Sequence, residues 1–177
     1  MKTYLVYGFG ITLANAVLTL CLYFFGYHTD PEKIESAQWI ITVFSLVISI
    51  TGIVLGTKAR RAETPANENF TYGRALGAGV MIVLFAALFG IVTNYLYFAV
   101  INPGLTDLIV QTQMAKLEAR GMPSAQIETA EKMIRAFSRP PIQAAIGFLG
   151  AMVFGTVISL ITSAFLQRQA RDQFAAS

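Results

Sequence analysis

The chain has 177 residues, of which 55% are hydrophobic and 13% charged, with a formal net charge of +3, whereas soluble domains carry roughly 25% charged residues. With a mean hydropathy of +0.58, this balance argues against a water-soluble globule, because too few polar side chains exist to cover the apolar ones. No Lys/Arg block interleaved with aromatics is present, so nothing points to nucleic acid. The single cysteine, Cys21, excludes an internal disulfide or a cysteine metal cluster.

The first apolar run, residues 4–25, is uncharged. At about 1.5 Å per helical residue it crosses the hydrocarbon layer of about 30 Å. A secretory signal would have a shorter core and a small-residue cleavage site, whereas this run ends in Leu22-Tyr23-Phe24-Phe25. Leu18-Thr19-Leu20-Cys21 loosely resembles a lipoprotein cleavage box, but Leu20 is bulky where such a box wants a small residue. An uncleaved helix is expected. The loop after it carries Asp30, Glu32, Lys33 and Glu35, with His28, the sole histidine, expected to be exposed and solvated rather than a metal ligand.

Further uncharged spans cover residues 39–55, 76–101 and 142–166. Backbone groups in lipid must be satisfied internally, and continuous apolar runs lack the alternation of barrel strands, so the expected fold is all-α: a four-transmembrane-helix bundle in one membrane domain, 1–177. Lys58, Arg60 and Arg61 form a basic collar after the second span, each able to gain about 1 kcal/mol from anionic lipid headgroups. Glu63 to Asn69 reads as a polar turn. Together with Lys2, Arg74, Arg168 and Arg171, the collar places both termini in the cytoplasm. Tyr23, Tyr27, Trp39, Tyr95 and Tyr97 mark the outer boundary, and Tyr4, Tyr7, Tyr72 and Phe165 the inner one.

Between the third and fourth spans lies a charged passage, residues 105–139, predicted to be an extracytoplasmic hairpin of two amphipathic helices. Thr106 is expected to cap the first helix, with Asp107 in its first turn. Gly121 and Pro123 form the hinge, and Ser124 is expected to cap the second helix. Val110, Met114 and Leu117 make one apolar stripe, and Ile127, Ala130, Ile134 and Phe137 the other. Glu128 with Lys132 and Glu131 with Arg135 are favourable i,i+4 pairs. The stripes have three possible fates: packing on each other and on the bundle, lying in the headgroup layer, or docking a partner.

Within the spans, Gly147, Ala151, Gly155, Ser159 and Ser163 recur every four residues and form a narrow groove that another helix can approach closely. Both intramolecular packing and a homo-oligomer or membrane-protein interface fit it. Gly52 and Gly56, and Ala86, Gly90 and Asn94, repeat the spacing in shorter form, while Gly8, Thr12, Asn15 and Thr19 make a small, partly polar side on the first helix. Asn15 and Asn94, the amides well inside the spans, are expected to face the bundle interior and bond across helices, or else to contact a substrate. No Asp, Glu, Lys, Arg or His lies in a span, which disfavours a proton-coupled carrier. No Ser/His/Asp or Cys/His arrangement supports nucleophilic catalysis. Gly8-x-Gly10 and Gly77-x-Gly79 lack the strand and third glycine of a nucleotide loop. No catalytic residue, cofactor or metal is expected.

The order of features resembles the bacterial domain-of-unknown-function family 4199. The resemblance rests on the Tyr72-Gly73-Arg74-Ala75-Leu76 entry to the third helix with Gly79 just inside, the Tyr95-Leu96-Tyr97-Phe98 exit, Ile101-Asn102-Pro103, the Gly121-Met122 hinge and Pro140. Gly104 departs from the acidic residue the family often has there. The resemblance implies a four-helix bacterial inner-membrane protein and brings no activity and no site residues. The expectation is a non-enzymatic scaffold or accessory subunit among membrane lipids, acting through the groove of the fourth span and the external hairpin as contact surfaces; the alternative is a carrier or channel for a lipid or other apolar small molecule, with Asn15 and Asn94 lining a cavity under the hairpin.

Overall fold

The computed structural model describes residues 1–169, an all-helical chain with α1 (Lys2–Phe24), α2 (Ile34–Glu63), α3 (Tyr72–Leu96) continued by a π turn (Tyr97–Ile101), α4 (Leu105–Ala119), α5 (Ser124–Phe137) and α6 (Pro140–Leu166). Arg171 of the basic tail lies outside the described residues. Among the described residues four helices are long and apolar enough to cross a membrane: α1, α2, α3 with its π turn, and α6. The second is much longer than its apolar run of 39–55, because the helix continues past the oily middle into Glu35 at one end and Arg60 and Arg61 at the other. Hydropathy marks the hydrocarbon-depth part of a helix, not where its backbone hydrogen bonds stop.

The third of these helices is central and packs against α1, α2 and α6. The core is a layer of Ile11, Ile53, Ile82 and Val83, flanked by Tyr7, Ile48, Met152 and Ile158. Small residues let the axes approach. A Cβ on Gly8 would stand 2.8 Å from Phe85 Cβ and 2.9 Å from the Ala86 backbone nitrogen, so α1 and α3 touch almost backbone to backbone. The outer surface is the oily one: Phe9, Phe44, Val47, Val153 and Phe154 are exposed, and Phe165 is 81% exposed. A surface of this kind has its low-energy solvent in lipid.

Thr71 caps α3, accepting a bond from the Arg74 backbone N–H. At that end of the bundle, Phe70 and Arg168 form an isolated antiparallel bridge. The Arg168 guanidinium also donates to the carbonyls of Thr64 and Pro65, both at 3.0 Å, and Arg61 donates to the Leu166 carbonyl at 3.3 Å. The stretch after Glu63, expected as an ordinary polar turn, is thus pinned by the chain's last described residues.

At the opposite end α4 lies on the bundle. Leu105 and Val110 are buried, and Leu105 packs with Ile34 and Tyr97 beside Leu20, Tyr23 and Ile109. Lys116 Nζ reaches Glu35 at 2.8 Å. The other hairpin helix, α5, rides on α4, with Arg135 bridging Asp107 at 2.8 Å and Glu131 at 2.9 Å, while Lys132 pairs with Glu128 at 2.6 Å. Both predicted i,i+4 pairs are therefore formed. The two apolar stripes are covered to different degrees: on α4 Val110 is buried and Met114 and Leu117 half-buried, whereas on α5 Ile127, Ala130 and Ile134 are half-buried and Phe137, with the neighbouring Met133, remains exposed.

Two caps differ from expectation. The helix α4 begins one residue before Thr106, with Gly104 at its cap position, and Pro123 rather than Ser124 precedes α5. Neither start has a side-chain cap. Leu105 is drawn into the helix by its burial against Ile34 and Tyr97, and Pro123, with its fixed φ, supplies the extended residue before Ser124. At the hinge, Gly121 has φ +72 and its N–H bonds the Glu118 carbonyl at 2.8 Å, while Met122 N–H bonds the Leu117 carbonyl at 3.2 Å. This pair of bonds is a Schellman cap, which needs a left-handed residue.

Candidate functional site

The chemistry-bearing side chains of the hairpin end are brought together by a turn. After α1 the chain reverses at Gly26, φ +78, with Tyr27 N–H bonded to the Leu22 carbonyl at 2.9 Å. That fold-back drives His28 over the end of the bundle, where it is only 4% exposed. Its Nδ1 is hydrogen-bonded to the Tyr97 hydroxyl, and its carbonyl accepts from Asn102 Nδ2 at 3.1 Å. The expectation of a solvated histidine beside Asp30 and Glu32 is therefore corrected. Gly26 closes the loop inward and Tyr97 offers the ring a polar partner, neither of which local sequence spacing reveals. Burial lowers the His28 pKa below its ordinary value, favouring the neutral ring.

The π turn presents Tyr97. One residue of extra winding after Leu96 re-aims the final turn of the span, and Asn102 N–H closes it on the Tyr97 carbonyl at 2.8 Å. Tyr97 is met edge-on by Tyr23, Phe98 and His28, with ring centroids 6.3, 5.7 and 5.7 Å away. Beneath α4 a cavity of about 200 Å³ opens beside this knot. Its inner wall includes the buried His28, Ile34, Ala37, Tyr97 and Leu105. Gln38 and Asn94 line it too, but both are exposed, which places them at its mouth.

Among the described residues, neither of the two amides within the spans bonds across helices, and of the two only Asn94 lines a cavity under the hairpin. Asn15 donates to the Ile11 carbonyl of its own helix at 2.9 Å, and its Oδ1 is buried without a partner. Asn94 is exposed at the cavity mouth rather than bonded to another helix, and Asn15 does not line that cavity. A buried hydroxyl instead makes a polar bond between α1 and α3: Thr12 reaches the Ala86 carbonyl at 2.9 Å. The cause is spacing: Gly8 brings the α3 backbone close enough for a short side chain, and a longer amide finds its own preceding turn first.

The small-residue groove of α6 divides into two parts. Gly155, Ser159 and Ser163 are buried, Gly155 against Val83 and Ser159 against Gly79. Ser159 and Ser163 return their hydroxyls to the carbonyls of Gly155 and Ser159 at 2.7 and 2.5 Å, so their polarity is satisfied within the helix. Gly147 and Ala151 are exposed, and a Cβ on Gly147 would meet nothing within 4 Å. A four-residue repeat drifts about 40° per step around a 3.6-residue helix, so one stripe cannot face one neighbour along its whole length.

At the N-terminal end a larger cleft, about 600 Å³, is bordered by Tyr4, Arg60, Glu63, Glu68 and Arg74. Its charges are mutually paired: Arg60 with Glu63 and Arg74 with Glu68, both at 2.8 Å, with Arg60 also donating to the Tyr4 hydroxyl at 3.0 Å and Thr3 to Glu63. Of the expected basic collar, Arg60 and Arg61 are thus engaged by the protein itself. No three His, Cys, Asp or Glu side chains converge among the described residues. Cys21 is exposed on the bundle surface.

The fold and its two ends define a class: an all-α protein whose four long apolar helices carry a helical hairpin at one end. Within that class the chain belongs to a particular family, described as Protein of unknown function (DUF4199), whose model matches residues 6–168. No curated protein and no solved structure matches it.

Proposed function

We propose that this protein is a non-enzymatic scaffold or accessory subunit of the bacterial inner membrane, associating through α6 with another membrane protein or with a second copy of itself. The observation that carries the proposal is the divided groove of α6: its Gly155 half is filled by α3, while its Gly147 and Ala151 half leaves backbone open at the surface. Close helix approach in lipid is gained at such small residues. Membrane crosslinking with Gly147→Cys and Ala151→Cys is expected to trap a neighbour, with Gly155→Cys as an internal control facing Val83. Monomers at all three positions and no co-purifying protein would refute it.

The proposed orientation places the N-terminal end, with Lys58, Arg60, Arg61, Arg74 and Arg168, in the cytoplasm and the hairpin outside. In intact spheroplasts, Ser124→Cys is expected to react with an impermeant maleimide and Asn67→Cys only after permeabilisation; the reverse pattern inverts the topology. A carrier or channel reading draws support from the cavity at Asn94. The packed layer of Ile11, Ile53, Ile82 and Val83 weighs against it, standing between that cavity and the other end.

A further inference from the structure

We propose that the cavity beneath α4 binds the uncharged ester neck of a glycerolipid drawn from the leaflet on the hairpin side. The inference is independent of any association through α6. It starts from depth. The span from Tyr72 to Ile101 has 30 residues, about 45 Å of helix, which matches a whole bilayer including its headgroup layers, about 40–45 Å. Asn94 stands seven positions before Ile101, so it lies about 10 Å below the outer end of that span. This is the boundary between headgroup and hydrocarbon, where the glycerol esters of lipids sit. Trp39, next to Gln38, and Tyr95, next to Asn94, are 68% and 60% exposed and mark the same level on the surface.

At that depth the amides of Gln38 and Asn94 make no hydrogen bond with any other side chain or backbone group among the described residues, and both stand at the cavity mouth. An amide donor facing a medium with few acceptors gains from any carbonyl brought to it. The ester carbonyls of a lipid are the acceptors present at that level. Leu105 and Ile109 of α4 line the cavity from the hairpin side, and the exposed Gln38 and Asn94 line it on α2 and α3.

Size and charge narrow the ligand further. A volume of about 200 Å³ is about that of seven waters, room for an ester neck and its first methylenes and too little for a whole two-chain lipid. No Asp, Glu, Lys or Arg lines it, and burial favours the neutral form of its one histidine. A phosphate or an ammonium therefore finds no counter-charge inside. Apolar walls from Ile34, Ile41 and Phe98 suit the start of an acyl chain.

The test uses the full chain in bilayers of ether-linked phosphatidylcholine, which offers no ester carbonyl, doped with dioleoylglycerol or with its dialkyl ether counterpart. Native mass spectrometry then counts the lipid that stays bound. The diester is expected to be retained about tenfold more than the diether, as two amide bonds of ordinary net strength would give. The Gln38→Leu/Asn94→Leu variant is expected to lose that preference. Equal retention of diester and diether by the unaltered protein, a comparison that needs no variant to fold, would overturn the proposal. So would a preference that survives the double substitution, or binding of water-soluble triacetin without retention of the dioleoyl lipid.

Discussion

Replacing Gly8 by alanine tests the claim that backbone proximity between α1 and α3 organises the bundle. The added Cβ would meet Phe85 Cβ at 2.8 Å, Ala86 N at 2.9 Å and Ile82 O at 3.0 Å, where ordinary carbon contacts lie at about 3.5–4.0 Å. Two of those atoms are backbone, so no rotamer change relieves them, and the helices must part by about 0.7 Å. A gap of that size forfeits a quarter to a half of each contact along the seam. It also stretches the O–H···O bond from Thr12 to the Ala86 carbonyl from 2.9 Å to as much as about 3.6 Å, past the limit of about 3.0 Å for bonds of that kind. Overpacking costs about 1–3 kcal/mol and the weakened bond about 1 kcal/mol, against about 1 kcal/mol gained in helix propensity. The expected net loss is about 2 kcal/mol, a fall of about 4–8 °C in melting midpoint for a chain this long.

The assay is thermal unfolding of the full-length protein in one detergent, beside two companions. Gly147→Ala meets nothing within 4 Å and should be unchanged or up to about 1 kcal/mol more stable. Gly79→Ala meets Ser159 Oγ at 2.5 Å and Ser159 Cβ at 2.8 Å. It should be destabilised, and Ser159→Gly should recover part of the loss, giving a coupling of about 1 kcal/mol in a double-mutant cycle. If Gly8→Ala is no less stable than Gly147→Ala, or Gly79→Ala and Ser159→Gly simply add, the close-packed seams are not what holds the helices in place.

Because burial lowers the His28 pKa below its unfolded value of 6.5, its contribution to stability is full above pH 6.5 and is lost as pH falls through the depressed folded value. Melting midpoints at about pH 7.5 and about pH 5 should differ more for the unaltered protein than for His28→Gln; identical shifts would refute the buried neutral ring. Gly121→Ala must hold a side chain at φ +72, costing about 1–2 kcal/mol locally, so proteolysis near Met122 should speed up while Gly104→Ala, at φ −78, leaves it unchanged. Arg168→Ala removes the guanidinium from the Thr64 and Pro65 carbonyls, leaving Pro65 only the Glu68 N–H, and should accelerate amide exchange across residues 64–70, with exchange in the core of α3 unaltered.

Much of this architecture is legible in the amino-acid order, and the physical reason is local. A run of apolar residues long enough to cross a bilayer must be helical wherever it crosses, because no water is there to satisfy its backbone, so the four long helices follow from composition and length alone. The Gly121 hinge and the Glu128 and Glu131 ion pairs are equally local, set by φ and by the i,i+4 step. What stands far apart in sequence was decided only by packing. His28 is buried because Gly26 turns the loop onto Tyr97, 69 residues away. Leu105 enters α4 ahead of Thr106 because Ile34 and Tyr97 bury it. Asn94 stands at a cavity mouth, and the α6 groove splits between α3 and the open surface, because a helix shows each neighbour only one sector of its circumference. Hydropathy averages over that circumference and retains no direction; the tertiary structure assigns each sector its neighbour.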